Sequence, residues 1–118
     1  MITENCSIFK DDFSDYLKPN FKIYSIMISI TAIIKSKKEN IEEVKKMVHN
    51  LVSNTRREAA CVRYDLHYTE NVFIIWEEWK DQAGLDIHNN QSYLINFIAD
   101  SETLLAAPIQ VYKTTQVM

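Results

Sequence analysis

The chain is short of the residues that break regular structure and of those that mark familiar reaction centres. It has one glycine and two prolines in 118 residues. Little room is left for long irregular loops, and any phosphate-cradling glycine motif is excluded, because Gly84 stands alone. The two cysteines, Cys6 and Cys61, are far apart in a chain with no basic and apolar leader, so they read as free thiols in a reducing compartment. Three scattered histidines and two scattered cysteines give no metal-ligand spacing. No excess of positive charge exists: 13 Lys and Arg against 16 Asp and Glu leave a net charge of −3. A nucleic-acid footprint is excluded on that ground. The most apolar run, Ile23–Ile34, is about half the length that spans a bilayer, and Ser25, Ser29 and Thr31 interrupt it. The expectation is a cytoplasmic protein with no nucleic-acid or membrane partner and no cofactor.

What is present suits one globular domain, at 47% hydrophobic and 25% charged residues. Residues 1–25 read as an N-terminal extension, a short helix or arm carrying Ile8, Phe9, Phe13, Tyr16 and Leu17 and stopped by Pro19. The domain proper is expected over 26–118. Its first strand runs from Ile26 to Lys35, apolar on both faces and rich in β-branched residues. A long amphipathic helix follows, with Asn40 as cap, Glu43 completing a capping box, and Ile41, Val44, Val48, Leu51, Val52 and Thr55 as its apolar stripe. Lys45, Lys46, Asn50, Arg56 and Arg57 lie away from that stripe as a solvated face.

Cys61–Trp79 alternates with the period of a strand on either side of Glu70-Asn71, which reads as a two-residue hairpin turn with Asn tolerant of positive φ. That turn predicts Tyr68 facing Phe73, Leu66 facing Ile75, Tyr64 facing Glu77 and Val62 facing Trp79 on one side. His67–Ile74, Asp65–Trp76 and the opposite-charge pair Arg63–Glu78 fall on the other. Two short helices follow, one capped by Asp81 and one carrying Leu94, Phe97, Ile98, Leu104 and Leu105 up to Pro108, and then a last strand over 109–117. The order β-α-β-β-α-β is the ferredoxin-like arrangement: an α+β fold with helices on one face of an antiparallel sheet. Since the strands are apolar on both faces, the uncovered face predicts a homodimer packed sheet to sheet.

The inward side of the hairpin places a single carboxylate, Glu77, among Tyr64, Leu66, Ile75 and Trp79. Such a group either fixes the packing through a hydrogen bond or serves as a polar floor in an apolar pocket, able to orient or deprotonate a ligand. A one-residue slip would put Glu78 there instead. His88, three residues after Leu85, is either a core histidine bonded to backbone or a base of nearly neutral pKa.

Cys61, Tyr64, Leu66, Glu77, Trp79 and His88 stand in the order and spacing of a known pattern: Gly-Cys-x-x-Tyr-x-Leu, a hairpin, Glu-x-Trp, then a helix ending in His. The chain over about residues 26–116 thereby resembles the antibiotic biosynthesis monooxygenase family, small quinol-monooxygenase-type proteins. The resemblance implies a dimeric α+β barrel and oxidation of a small aromatic quinol or polyphenol by O₂ without metal or flavin. It makes Glu77, His88 and Tyr64 the candidate catalytic residues and Trp79, Leu66 and Ile75 the candidate substrate contacts. Ala60 stands where the family has Gly, and "NNQSYL" after His88 departs from its pattern at a pocket rim. Haem-degrading relatives of the fold carry a Trp at the place of His88 and an Asn in the first strand, and this chain has neither. A non-oxidative isomerase and a catalytically silent ligand-binding homodimer remain the alternatives.

Overall fold

A computed structural model describes residues 27–118 together with a two-residue strand, β1, at Thr3–Glu4. The expected helix over 8–17 and the start of the first strand at Ile26 lie outside the described residues. The remaining elements are β2 (Ile28–Lys35), α1 (Ile41–Thr55), β3 (Cys61–Thr69), β4 (Val72–Trp79), α2 (Gln82–Asn89), α3 (Ser92–Ser101) and β5 (Gln110–Thr114). Strand order is β1-β5-β2-β4-β3. Each of the four longer strands runs antiparallel to its neighbours among them, and β1 adds in parallel to β5. This is the expected ferredoxin-like α+β fold.

The period of two decides which side chains meet the helices. On β4, Phe73, Ile75, Glu77 and Trp79 are buried, and their neighbours on β2 are Ile34, Ala32, Ile30 and Ile28. The α1 stripe covers them with Val44, Val48, Leu51 and Val52, while Leu85, Leu94 and Phe97 close the core from α2 and α3. The other sheet face carries Thr31, Ile33, Ile74, Trp76 and Tyr112. Trp76 is 42% exposed there, with the Arg63 guanidinium 4.3 Å from its ring centroid.

The hairpin register follows the expected pairs from Tyr68–Phe73 through Arg63–Glu78, and Glu77 rather than Glu78 points into the core. Four details differ. A bulge between Cys61 and Arg63 brings Cys61, not Val62, opposite Trp79 and leaves Val62 half exposed. The inserted residue cannot join the ladder, so it turns to solvent. The residue with positive φ in the turn is Glu70, at 52°. Asn71 is occupied elsewhere: its side chain donates to the Ser36 carbonyl at 2.6 Å and its carbonyl accepts the Ser36 N–H at 2.8 Å.

Asn40 does not cap α1. A 3₁₀ turn over Lys38–Asn40 already leads into the helix, and the Asn40 amide reaches the Leu104 carbonyl at 3.5 Å. The last helix ends at Ser101 instead of Pro108. It tightens into a 3₁₀ turn over Glu102–Leu104, after which the backbone leaves to bond the end of β2, with Lys37 N–H donating to Leu104 O and Ala106 N–H to Lys35 O.

Candidate active site

Three segments converge at one end of the sheet. The first is the turn after α1. Glu58 N–H donates to the Thr55 carbonyl at 3.0 Å, and the Glu58 carbonyl accepts from Cys61 N–H at 3.1 Å. Both backbone groups are thus committed, and the Glu58 side chain has a fixed origin. The second is the end of β4, tied to that turn by Lys80 N–H donating to Ala60 O at 3.0 Å. The third is α2. Asp81 caps it as expected, Oδ1 accepting the Gly84 N–H at 2.8 Å.

Gly84 explains how close α2 can come. A Cβ at this position would lie 2.3 Å from the Cβ of Ala60, which no packing tolerates. The glycine is needed for that approach, and His88 sits one helical turn further along the same face. Its Nδ1 comes to 2.7 Å from Glu58 Oε2. The same carboxylate oxygen accepts a short hydrogen bond from the Tyr93 hydroxyl on α3. The Thr55 hydroxyl lies 3.2 Å from the Tyr93 oxygen and itself donates to the Leu51 carbonyl at 2.8 Å.

The His88 ring is packed from several sides. Trp79 stacks against it with centroids 4.5 Å apart, and Tyr64 and Tyr93 meet it edge-on at 5.8 and 6.2 Å. Trp79 in turn donates its Nε1–H to Glu77 Oε1 at 2.8 Å. Burial holds His88 below the ordinary imidazole pKa, opposed by its hydrogen bond to the Glu58 carboxylate and by that group's charge. Its resting form at neutral pH is the uncharged ring. A carboxylate can only accept, so its contact with Nδ1 favours the neutral tautomer that carries its proton there. Burial, and then the Glu77 charge, push the Tyr64 phenol well above its ordinary value, with Thr55 opposing. Tyr64 is therefore a hydrogen-bond donor and not a phenolate. Burial pushes the Cys61 thiol up to about 11, with Glu77 and Glu58 adding to the rise.

Next to these groups lies a cavity of about 40 Å³ between the sheet and the helices. Tyr64, Glu77, His88 and Asn89 supply its polar wall, and Ile30, Ala32, Leu51, Ile75, Leu94, Phe97 and Val111 are among its apolar lining. Of the six residues singled out from sequence, Tyr64, Glu77, His88 and Ile75 line this cavity. Trp79 and Leu66 do not. Trp79 is fully buried behind His88, and its face stacks on the imidazole, not on open space. Leu66 is partly buried on β3, packed against the core. Glu58, Thr55 and Tyr93 went unrecognised in the sequence. The available signal was Thr55, a hydroxyl on the buried stripe of α1, with Glu58 three residues on. Among the described residues no three His, Cys, Asp or Glu side chains converge as metal ligands, and no helix is long and apolar enough to cross a membrane.

Comparison with known proteins agrees with the fold. Residues 27–100 match the family model described as antibiotic biosynthesis monooxygenase. The putative monooxygenase YcnE of Bacillus subtilis is 37% identical over 91 residues, covering 75% of this chain and 96% of that one. Among solved structures, one described as an antibiotic biosynthesis monooxygenase superposes with a TM-score of 0.72 at 28% identity, covering 77% of this chain and 99% of its own. A Mycobacterium tuberculosis protein superposes with a TM-score of 0.73 at 19% identity over 78% and 96% of the two chains, a likeness of fold alone.

Proposed function

The chain belongs to the antibiotic biosynthesis monooxygenase family, and from that premise we propose that it oxidises a small aromatic quinol or polyphenol with O₂, using no metal or flavin. The observation that carries this reading is the buried His88 beside Tyr64 and Glu77 on the wall of a mostly apolar cavity, its Nδ1 held by Glu58. His88 removes the phenolic proton. Tyr64 donates a hydrogen bond to the oxygen that becomes anionic, and Glu77 fixes the orientation of a second hydroxyl. The deprotonated aromatic is electron-rich enough to reduce O₂ itself. One oxygen atom ends in a new carbonyl of a quinone product and the other in water, with every electron supplied by the aromatic. The protein contributes a dry site, orientation and a base.

Size sets a condition on this chemistry. A cavity near 150 Å³ accommodates benzene, so the 40 Å³ seen here must widen before a ring can enter. Asn89, Ile98 and Ile109, the partly exposed lining residues, mark the side that opens. The same reading takes the active form as a cytoplasmic homodimer joined through the open sheet face, supported by the exposed Trp76 and its neighbours Ile33 and Ile74. The small cavity favours one second reading, a homodimer that binds a ligand without chemistry. An isomerase of a small polar or phosphorylated metabolite is disfavoured, because no Arg or Lys lines the cavity among the described residues.

The test is oxygen uptake by metal-stripped protein on a panel of quinols and anthrones, with His88→Ala and Glu77→Gln beside the parent. Uptake above autoxidation, abolished in His88→Ala, with one atom of labelled O₂ in the product, is expected. A folded dimer that consumes no O₂ on any substrate refutes the reading and leaves the binding protein.

A further inference from the structure

We propose that Glu58 is a positioning residue for His88: clamped by the Tyr93 hydroxyl, its carboxylate holds the imidazole in the one tautomer that presents a bare Nε2 to the cavity. The inference rests on the reading of His88 as the base and names the part of the site that makes it one.

The arrangement is specific in several ways. Glu58 and His88 are thirty residues apart and come from different elements, yet both side chains are almost fully buried where they meet. A buried carboxylate needs donors, and Oε2 has two, the Nδ1–H of His88 and the Tyr93 hydroxyl. A glutamine here could donate or accept and would leave the tautomer undecided. A carboxylate accepts only. Turning the ring over offers no escape: a flip keeps the plane that stacks on Trp79 but puts a carbon against Glu58 and forfeits the hydrogen bond. When a ligand hydroxyl passes its proton to Nε2, the Nδ1–H stays in place and the imidazolium so formed faces a carboxylate. The proton later returns to the departing oxygen, so the relay is balanced over a turnover. Among the described residues the ionisable groups around His88 are Glu58 after α1, Cys61 and Tyr64 on β3, Glu77 on β4 and Tyr93 on α3. Tyr64 and Tyr93 are both held neutral, principally by burial. Cys61 is likewise a thiol at neutral pH.

Histidine ring ¹⁵N NMR tests this without a substrate. His49 and His67 are exposed and serve as internal references. At pH 7.5 His88 should show a protonated Nδ1 and a bare Nε2, unlike the references. Glu58→Gln removes the charge that favours the imidazolium, so the His88 titration midpoint should fall by about one unit or more, with loss of the single tautomer. Tyr93→Phe should act in the opposite sense: the carboxylate loses a donor, keeps its charge, and the midpoint rises with the tautomer retained. A tie that merely fastened α2 to the α1 turn would not give shifts of opposite sign. An Nε2–H tautomer in the parent protein overturns the proposal, and so does a Glu58→Gln variant whose tautomer and midpoint are unchanged. Should Glu58→Gln fail to fold, the parent tautomer and the sign of the Tyr93→Phe shift decide alone. Because these readouts need no turnover, a failed oxygen assay and a failed positioning role are told apart. Where a quinol is oxidised, Glu58→Gln should lower kcat with KM little changed.

Discussion

Replacing Gly84 by alanine would ordinarily be expected to stabilise a helix. Glycine in a helix interior is less favourable than alanine by about 1 kcal/mol, and Gly84 lies inside α2 with no positive φ to require it. The structure reverses that expectation. The new methyl carbon would stand 2.3 Å from Ala60 Cβ and 3.2 Å from Asp81 Oδ1, against a carbon–carbon optimum of about 3.5–4.0 Å. The obstacle is a short, backbone-anchored side chain, so relief requires α2 or the 58–61 turn to move by more than an ångström. Overpacking of this kind costs about 1–3 kcal/mol. Set against the propensity gain, Gly84→Ala should destabilise by about 0–2 kcal/mol. Local damage should exceed that, because a shift of α2 by such an amount carries the 2.7 Å contact between His88 and Glu58 out of hydrogen-bonding range.

The cause can be isolated. Ala60→Gly removes the colliding atom and leaves Ala60 Cα, at 3.7 Å, in ordinary contact. Alone it should cost about 0.5–1 kcal/mol through backbone entropy. Combined with Gly84→Ala it should recover most of the lost stability and return the His88 ring signals to their parent positions. The double-mutant cycle should give a coupling of about 1–3 kcal/mol, read as urea midpoints that differ by roughly 1 M at the usual slopes. Additive single effects, or a Gly84→Ala protein with the parent's His88 signals, would refute the idea that this contact sets the position of α2.

Three further outcomes are expected. Trp79→Phe should destabilise by about 1.5–3 kcal/mol through loss of the hydrogen bond from Nε1 to Glu77, and since Trp79 is buried while Trp76 is exposed, the remaining fluorescence should shift to the red. Stability should fall on acidification as His88 is forced to charge. Its folded pKa lies below the unfolded value near 6.5, so the stability is fully present above that pH and is lost as pH drops towards the folded value; urea midpoints at pH 7.5 and 5.5 should converge less in His88→Gln than in the parent only if this sign is wrong. Cys61, with its thiol raised to about 11, should label with iodoacetamide at pH 8 on the order of a hundredfold more slowly than an unfolded-chain cysteine. Peptide mapping separates it from Cys6, and equal rates would show that the burial of the thiol is not as described.

The hairpin was legible because a strand reports its own faces. Once Glu70-Asn71 is taken as the turn, the period of two carries Tyr64 opposite Glu77 and sends Glu77 inward and Glu78 outward, as found. Counting fails only at Val62, where one inserted residue shifts the far end of the ladder and no local signal announces it. The caps were less legible. Asp81 has no competing partner among the described residues and caps its helix, whereas Asn40 ends a 3₁₀ turn and is drawn to Leu104, sixty-four residues away. Terminal side chains answer to whichever distant carbonyl arrives, and the sequence around them does not name it.

The site divides along the same line. Tyr64, Glu77 and Ile75 follow from strand period alone, so their shared cavity wall could be read from the chain. Glu58, His88 and Tyr93 come from three segments whose meeting depends on how tightly α2 packs on the 58–61 turn. That distance is set by a pair of small residues, Ala60 and Gly84, neither of which carries any chemistry. In a chain with one glycine, its placement one helical turn before a histidine was the available clue. It marks the place where backbone must come close to backbone, and the imidazole beyond it is carried to the carboxylate that orients it. Family relatives with Gly at the position of Ala60 would have room at that contact from the other side. A larger residue at 84 would then be tolerated there and excluded here, so the identities at 60 and 84 should be coupled while those at 58 and 88 stay fixed by their hydrogen bond.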